Sequence, residues 1–229
     1  MQKTKKNKPL KYMIAAGSRS GSMFMVKLMQ AFVNGKMWPL AKVHTARNSV
    51  GDFTPTYKAF REDDDIAGFI QTHGIHTLKI EDPGVDRDCF ILAEAFPAAK
   101  VLATRRPIEK IVNSHGNIKP WGHPAETVVA NWIAALDFYE AMHAAGRLKL
   151  IDIDRPARFD PQDFAAFVGC KLHEEAEDFA DTWPQVNNLK AQKNVSGDTS
   201  ANESNLTYDD ILSRFPEVAD ADKRYDALL

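Results

Sequence analysis

Short apolar runs alternate along this chain with longer stretches in which apolar residues recur every three or four positions. Tyr12–Ala16 is an unbroken apolar run and reads as a buried strand. It stops at small residues, Gly17 to Ser22. Beyond them Met25, Leu28, Met29 and Phe32 fall on one face of a helix over 22–33, with Gly35 as its stop. Residues 36–60 carry Pro39, Gly51 and Pro55 and predict a loop-rich excursion. Asp63, Asp64 and Asp65 supply N-cap character and acidic charge to a helix ending at Thr72. Residues 76–80 form a short strand candidate, and 86–96 a helix stopped by Pro97. Residues 100–104 favour a strand, and Pro107 opens a helix to Ser114. The longest helical pattern spans 124–145 and ends at Gly146. A strand over 148–153 and a helix over Pro161–Val168 follow. Residues 184–206 are polar and read as a long loop, and 208–229 as short helices.

Strands alternating with helices predict an α/β fold, a three-layer α/β/α arrangement around a central parallel sheet. No internal repeat is present, and one domain is expected over 1–229, preceded by a basic arm at 1–10. Composition agrees: 44% apolar and 26% charged residues describe a globular chain with a sizeable core. A net charge of −2 argues against a general nucleic-acid coat and leaves room for a local basic site. Lys3, Lys5, Lys6, Lys8 and Lys11 read as a solvated tail. No apolar run is long enough for a signal peptide or a membrane span. Cys89 and Cys170 lie far apart and suggest neither a disulfide framework nor a metal cluster, so a reduced, cytoplasmic setting is expected.

The chemistry concentrates where strands end. A strand, a small-residue loop and a helix start can arrange backbone N–H groups around an anion. The candidate cradle is Gly17, Ser18, Arg19, Ser20, Gly21 and Ser22, with Met23 at the helix start, and Arg19 adds a fixed positive charge. A tight turn whose small residues serve only packing is the competing reading. A Walker A loop needs Lys before its Ser/Thr, but Gly21 is followed directly by Ser22 and the next lysine is Lys27, which weakens an ATP or GTP assignment.

Ligands of open α/β sheets bind beyond the carboxyl ends of the strands. The polar residues at those ends include Glu81 and Asp82 after one strand. Arg105 and Arg106 follow another, with Asn113 and Ser114 on the next helix, and Asp154 and Arg155 follow a third. Arginines and adjacent carboxylates at neighbouring ends describe an anion-binding cleft with a candidate base. His44, His73, His115, His123 and His143 show no metal-ligand spacing and read as surface or satisfied core groups; no metal is expected. Trp38, Trp132 and Trp183 read as packing anchors. Trp121, between Pro120 and Gly122, is a candidate for lining an acceptor pocket.

Two segments resemble a known family. Gly17-Ser-Arg-Ser-Gly-Ser22 is similar to the G-x-P-R-S-G-T/S loop of sulfotransferases, which binds the 5′-phosphosulfate of 3′-phosphoadenosine 5′-phosphosulfate. Residues 96–114, from Phe96-Pro-Ala-Ala-Lys through Arg105-Arg-Pro-Ile-Glu109 to Asn113-Ser114, resemble that family's second motif, which holds the 3′-phosphate through an Arg and a Ser. The resemblance implies a P-loop NTPase-like fold and that donor as co-substrate. It puts Arg19 beside the sulfuryl group, where a guanidinium offsets building charge. It puts Arg105 at the 3′-phosphate with Asn113 in the Ser position, or Arg106 with Ser114, and both registers stay open.

Leu78-Lys-Ile-Glu-Asp-Pro83 is similar to the K-T-H-x-P of cytosolic members, with Lys79 at the Lys position and Glu81 at the His position. Glu81 is therefore the first candidate base and His76 the second. Lys193, in a segment faintly similar to the family's nucleotide-closing loop, could reach a phosphate. The implied activity is sulfuryl transfer to a hydroxyl or amine of a small-molecule or carbohydrate acceptor. Lipid and peptide acceptors also stay open, and the loops at 36–60 and 115–123 are expected to shape the acceptor pocket. A P-loop kinase or nucleotide hydrolase, and a non-catalytic nucleotide-binding module, are the alternatives.

Overall fold

The computed structural model describes residues 10–34, 43–45, 65–73, 75–85, 88–116, 122–171 and 206–229. Strand β1, Tyr12–Ala16, is buried along its whole length. It is the middle strand of a parallel sheet with β2 (Val43–Thr45), β3 (Thr77–Glu81), β4 (Lys100–Arg105) and β5 (Leu148–Asp152), in the order β2-β3-β1-β4-β5. A parallel strand covered on both faces needs apolar side chains on both, which is why Tyr12–Ala16 shows no polar alternation. The register sets Ala16 opposite Glu81 and Arg105 opposite Asp152, so these chain ends share one edge of the sheet.

Helices cover both faces. On one lie α1 (Ser22–Asn34) and, late in the chain, a helix at Pro161–Val168. Phe24, Leu28 and Phe32 of α1 meet Ile14, Leu102 and Ile151 of the sheet and Phe164 of the late helix. The intervening helices are α2 (Ile66–His73), α3 (Asp88–Ala95), α4 (Ile108–Gly116) and α5 (Ala125–Ala144), which makes Pro161–Val168 α6; α7 (Tyr208–Arg214) and α8 (Val218–Asp226) follow. On the second face Met13, Ala15, Leu78 and Val101 pack with Leu92, Ile111, Trp132, Tyr139, Ile211 and Tyr225 from α3, α4, α5, α7 and α8. This is the expected three-layer α/β/α arrangement with a P-loop-like order of elements. Buried phenols are satisfied: Tyr139 donates to Ala15 O at 3.0 Å and Tyr225 to Trp132 O at 2.9 Å.

Local chemistry sets the element ends. The Asp65 carboxylate accepts the Gly68 N–H at 2.8 Å and so caps α2. Asp160 accepts from the N–H groups of Gln162 and Asp163 and caps α6, with Pro161 in the first turn. Thr207 and Asp210 form a capping box at α7. Arg147 donates to the carbonyls of Ala93, Phe96 and Ala99, each at 2.9 Å, and so closes the end of α3 and the turn into β4.

One expectation fails. Residues 36–60 were expected to lack regular structure, yet β2 lies within them, a three-residue edge strand too short to show a period. The arm at 1–9 and most of the polar loop at 184–206 lie outside the described residues. No described helix is long and apolar enough to cross a membrane.

Gly84 fixes how the sheet meets α5. A Cβ built there would sit 1.9 Å from the carbonyl oxygen of Ala134. The turn after β3 therefore rests directly on the helix backbone, which holds the carboxyl end of β3 in place.

Candidate functional site

The connections of β1 and β4 leave toward opposite sides of the sheet, so the crevice beyond their carboxyl ends is the topological switch point. The loop 17–21 fills it. Ser20 N–H donates to Gly17 O at 3.0 Å, and Ser20 Oγ donates to the same oxygen at 2.6 Å. The Ser20 hydroxyl also lies 3.3 Å from Thr104 Oγ1 of β4. Gly21 has φ 110, a conformation that calls for glycine, while the nearest atom to a Cβ there is the movable Ile153 Cδ1 at 2.7 Å. The first helical bond of α1 runs from Met25 N–H to Gly21 O at 3.1 Å. The N–H groups before it, those of Ser22 and Met23 among them, have no acceptor within the helix, and the positive end of the helix dipole lies with them.

Three side chains from separate segments meet on this loop. Arg19 is exposed and adopts φ 64, a left-handed conformation unusual for arginine. Its Nε–H donates to Ser114 Oγ of α4 at 3.0 Å. Arg106 Nη1 donates to the Arg19 carbonyl at 3.1 Å. Arg106 Nε lies 3.8 Å from Asp154 Oδ2, whose other oxygen accepts from Lys110 at 2.8 Å.

The neighbouring pair behaves differently. Arg105 is buried among three carboxylates, at 3.3 Å from Asp152, 3.1 Å from Asp222 and 2.7 Å from Asp226. Asn113 donates to Leu206 O and accepts Leu206 N–H, both at 2.9 Å. Successive residues of a strand point to opposite sides, so Arg105 turns into the α8 contact while Arg106 reaches the loop. Of the two registers left open by the sequence, Arg106 with Ser114 is the one at the loop; Arg105 and Asn113 tie the chain together elsewhere.

At the end of β3, Glu81 stands opposite Ala16 at the loop edge, and its side chain lies outside the described part. Asp82 follows with φ 52 and accepts the Ser18 N–H at 2.9 Å through Oδ1. In the sequence Asp82 reads as one of two adjacent carboxylates at a strand end, with Glu81 preferred as the base. Its signal was its type, since aspartate tolerates left-handed backbone and offers a short acceptor at strand ends. Lys79 is buried in the body of β3. Leu78 and Ile80 face the core under α5, so Lys79 points to the α1 layer, short of the carboxyl edge.

His76 does not belong to the site. It precedes β3 at the opposite edge of the sheet, with its ring edge-on to Tyr12 and Nδ1 3.2 Å from Thr77 Oγ1. The length of β3, roughly 16 Å at about 3.3 Å per residue, separates it from the loop. Parallel strands put their starts and ends on opposite edges, which rules out a proton transfer there. Lys193 and Trp121 lie outside the described residues. Among the described residues, no group of three or more His, Cys, Asp or Glu side chains is placed to hold a metal ion.

His115 is the residue that sequence reasoning set aside and the fold brings in. It is buried beneath the loop, with Nε2 3.3 Å from Ser18 O. The backbone N–H of His123 donates to Nδ1 at 3.3 Å. An N–H can only donate, so Nδ1 is the acceptor and the neutral ring carries its proton on Nε2. Burial pulls the His115 pKa down, partly opposed by the bond to Ser18. A cavity of about 20 Å³, room for about one water, lies behind the loop between Ser18, Ser20, Asp82, His115 and Tyr139.

The lowered His115 pKa has a defined pH signature. The unfolded chain takes up this proton at about pH 6.5, before the folded protein does. Stability is therefore full above that point and falls as pH drops below it, levelling once the folded ring is also charged, with a slope of at most about 1.4 kcal/mol per pH unit. Melting curves between about pH 7.5 and 5 are expected to show a fall in Tm that His115→Gln removes; an unchanged pH dependence in that variant would exclude His115 as its source.

No family model matches the chain, and no curated protein matches it by sequence. Among solved structures it is similar to the mouse sulfotransferase SULT7A1 complexed with PAP. The two share 11% identity over 96% of this chain and 82% of the mouse chain, with a TM-score of 0.51. At that identity the likeness is one of fold.

Proposed function

We propose that the chain transfers a sulfuryl group from 3′-phosphoadenosine 5′-phosphosulfate to a hydroxyl or amine. The observation that supports this reading is the meeting of Arg19, Arg106 and Ser114 on the loop between β1 and α1. The mouse protein of similar fold was crystallised with PAP, which fits a donor of this type. In this reading the N–H groups of Gly21, Ser22 and Met23, the Ser22 hydroxyl and the helix dipole hold the 5′-phosphate, while Gly17, Ser18 and Ser20 shape the turn. Arg106 and Ser114 take the 3′-phosphate, in place of Arg105 and Asn113. The Ser114 oxygen already accepts from Arg19, so its own O–H is the group to donate to a phosphate oxygen.

The acceptor oxygen or nitrogen forms its bond to sulfur as the bond from sulfur to the bridging phosphate oxygen breaks. Negative charge builds on that bridging oxygen, and Arg19 offsets it. The acceptor proton passes to a carboxylate at the end of β3, with Glu81 as the candidate, and adenosine 3′,5′-bisphosphate leaves. Positioning and charge stabilisation carry most of the rate, as in phosphoryl transfer. The acceptor is a small molecule or carbohydrate in this reading.

Calorimetric titration tests it directly. Adenosine 3′,5′-bisphosphate is expected to bind with micromolar or better affinity, about −8 kcal/mol, and ATP far more weakly. Preference for ATP would move the chain to the kinases or nucleotide hydrolases. Bisphosphate binding without transfer to any class of a labelled-donor acceptor panel would leave a nucleotide-binding module.

A further inference from the structure

We propose that Asp82 and His115 form a clamp on Ser18 that sets the direction of the Arg19 side chain, making both positioning residues for the reaction proposed above, on which this role rests. Ser18 is held at both of its backbone polar groups. From the end of β3, Asp82 Oδ1 accepts its N–H at 2.9 Å. From α4, His115 Nε2–H donates to its carbonyl at 3.3 Å. The N–H belongs to the peptide before Ser18 and the carbonyl to the peptide after it. Holding both fixes the two peptide planes around one Cα, and the second plane carries the nitrogen of Arg19.

Arg19 needs such a hold. An L-residue in the left-handed region costs about 1–2 kcal/mol, and arginine has no short side-chain acceptor to offset it. Strain of this kind persists only where the surroundings over-determine it. Arg19 and Asp82 are the only non-glycine residues with positive φ among the described residues, and Ser18 connects them. The clamp is itself anchored. Gly84 seats the turn after Asp82 on the α5 backbone, and the His123 N–H fixes the His115 ring through Nδ1. Arg106 adds a third hold on the far side of Arg19, through its carbonyl. The result is a guanidinium whose Nε–H already reaches Ser114. A charged group that must meet a transition state gains from being aimed in advance, since small misplacements cost large factors in rate.

The test has one arm without ligand and one with it. In ¹⁵N-labelled protein the Arg19 Nε–H resonance, identified by its loss in Arg19→Lys, reports the bond to Ser114. Asp82→Ala and His115→Ala are expected to shift or broaden it, while Asp82→Asn and His115→Gln, which keep the acceptor and the donor, retain it. An unchanged resonance in both alanine variants, with melting curves showing them folded, would overturn the clamp. In the second arm, Asp82→Ala is expected to weaken adenosine 3′,5′-bisphosphate binding about tenfold in the native background and less than about twofold in Arg19→Ala, because clamp and guanidinium act as one unit. Equal losses in both backgrounds would show that Asp82 does not act through Arg19. Tighter binding in Asp82→Ala would make the carboxylate a competitor for the anion site instead. If the native protein binds no bisphosphate, the sulfuryl-transfer reading fails, and the resonance alone still decides the clamp.

Discussion

On the sulfuryl-transfer reading proposed above, replacing Arg19 by alanine is expected to lower transfer by about a hundredfold to a thousandfold, the range for losing one preorganised charge-stabilising donor. The fold should survive. The side chain is exposed, so the melting temperature should move by no more than about 4 °C. Alanine inherits the left-handed backbone of position 19, so Arg19→Gly is the companion variant. Equal activity in the two would assign the loss to the missing guanidinium alone. Arg19→Lys keeps the charge but not the planar fork, and should fall between alanine and the native protein. The assay uses labelled donor with whichever acceptor class supports turnover. Near-native activity of Arg19→Ala would sink the role of the loop as the sulfuryl site. In the same assay, full activity of Glu81→Gln would remove Glu81 as the base.

Arg105→Ala and Arg106→Ala are expected to fail in opposite ways. Arg105 joins Asp152, Asp222 and Asp226, and the Asp152 side chain is only 3% exposed. Removing the guanidinium leaves that carboxylate buried with Arg155, which is half exposed, at 3.5 Å. Breaking a buried pair from one side costs about 3–5 kcal/mol, so urea unfolding should show a large loss of stability. Arg106→Ala removes a partly exposed side chain and should unfold near the native midpoint, yet weaken adenosine 3′,5′-bisphosphate by about tenfold to a hundredfold. The reverse pattern, with a stable Arg105→Ala that no longer binds, would restore the first register.

That pair of arginines marks how far the sequence could be read. The five-residue apolar run of β1, the glycine at 21 and the amphipathic spacing of α1 are local signals, and each element was legible from them. Which of two adjacent arginines faces the loop is not a local property. It depends on Asp222 and Asp226, more than a hundred positions away, claiming Arg105 from α8. His76 was legible as a strand-edge histidine, but its distance from the site follows from the parallel direction of β3. Asp82 read only as one of two strand-end carboxylates and His115 as a surface or core histidine, because their roles come from backbone atoms of Ser18 in the loop after β1, remote in sequence. β2 was hidden by its length.

The tie between Arg105 and α8 also bears on how the protein is made. Asp222 follows Arg105 by 117 residues, and Tyr225 of α8 stacks on Trp132 of α5 at 4.5 Å. A nascent chain emerging N-terminus first can assemble β1, β3 and β4 early. Until α8 clears the ribosome, however, Arg105 has only Asp152 of its three carboxylates to meet, and one side of α5 stays uncovered. α8 therefore closes the second face of the sheet late in synthesis, and a chain halted before Asp222 exposes the apolar side of α5 that Tyr225 would cover.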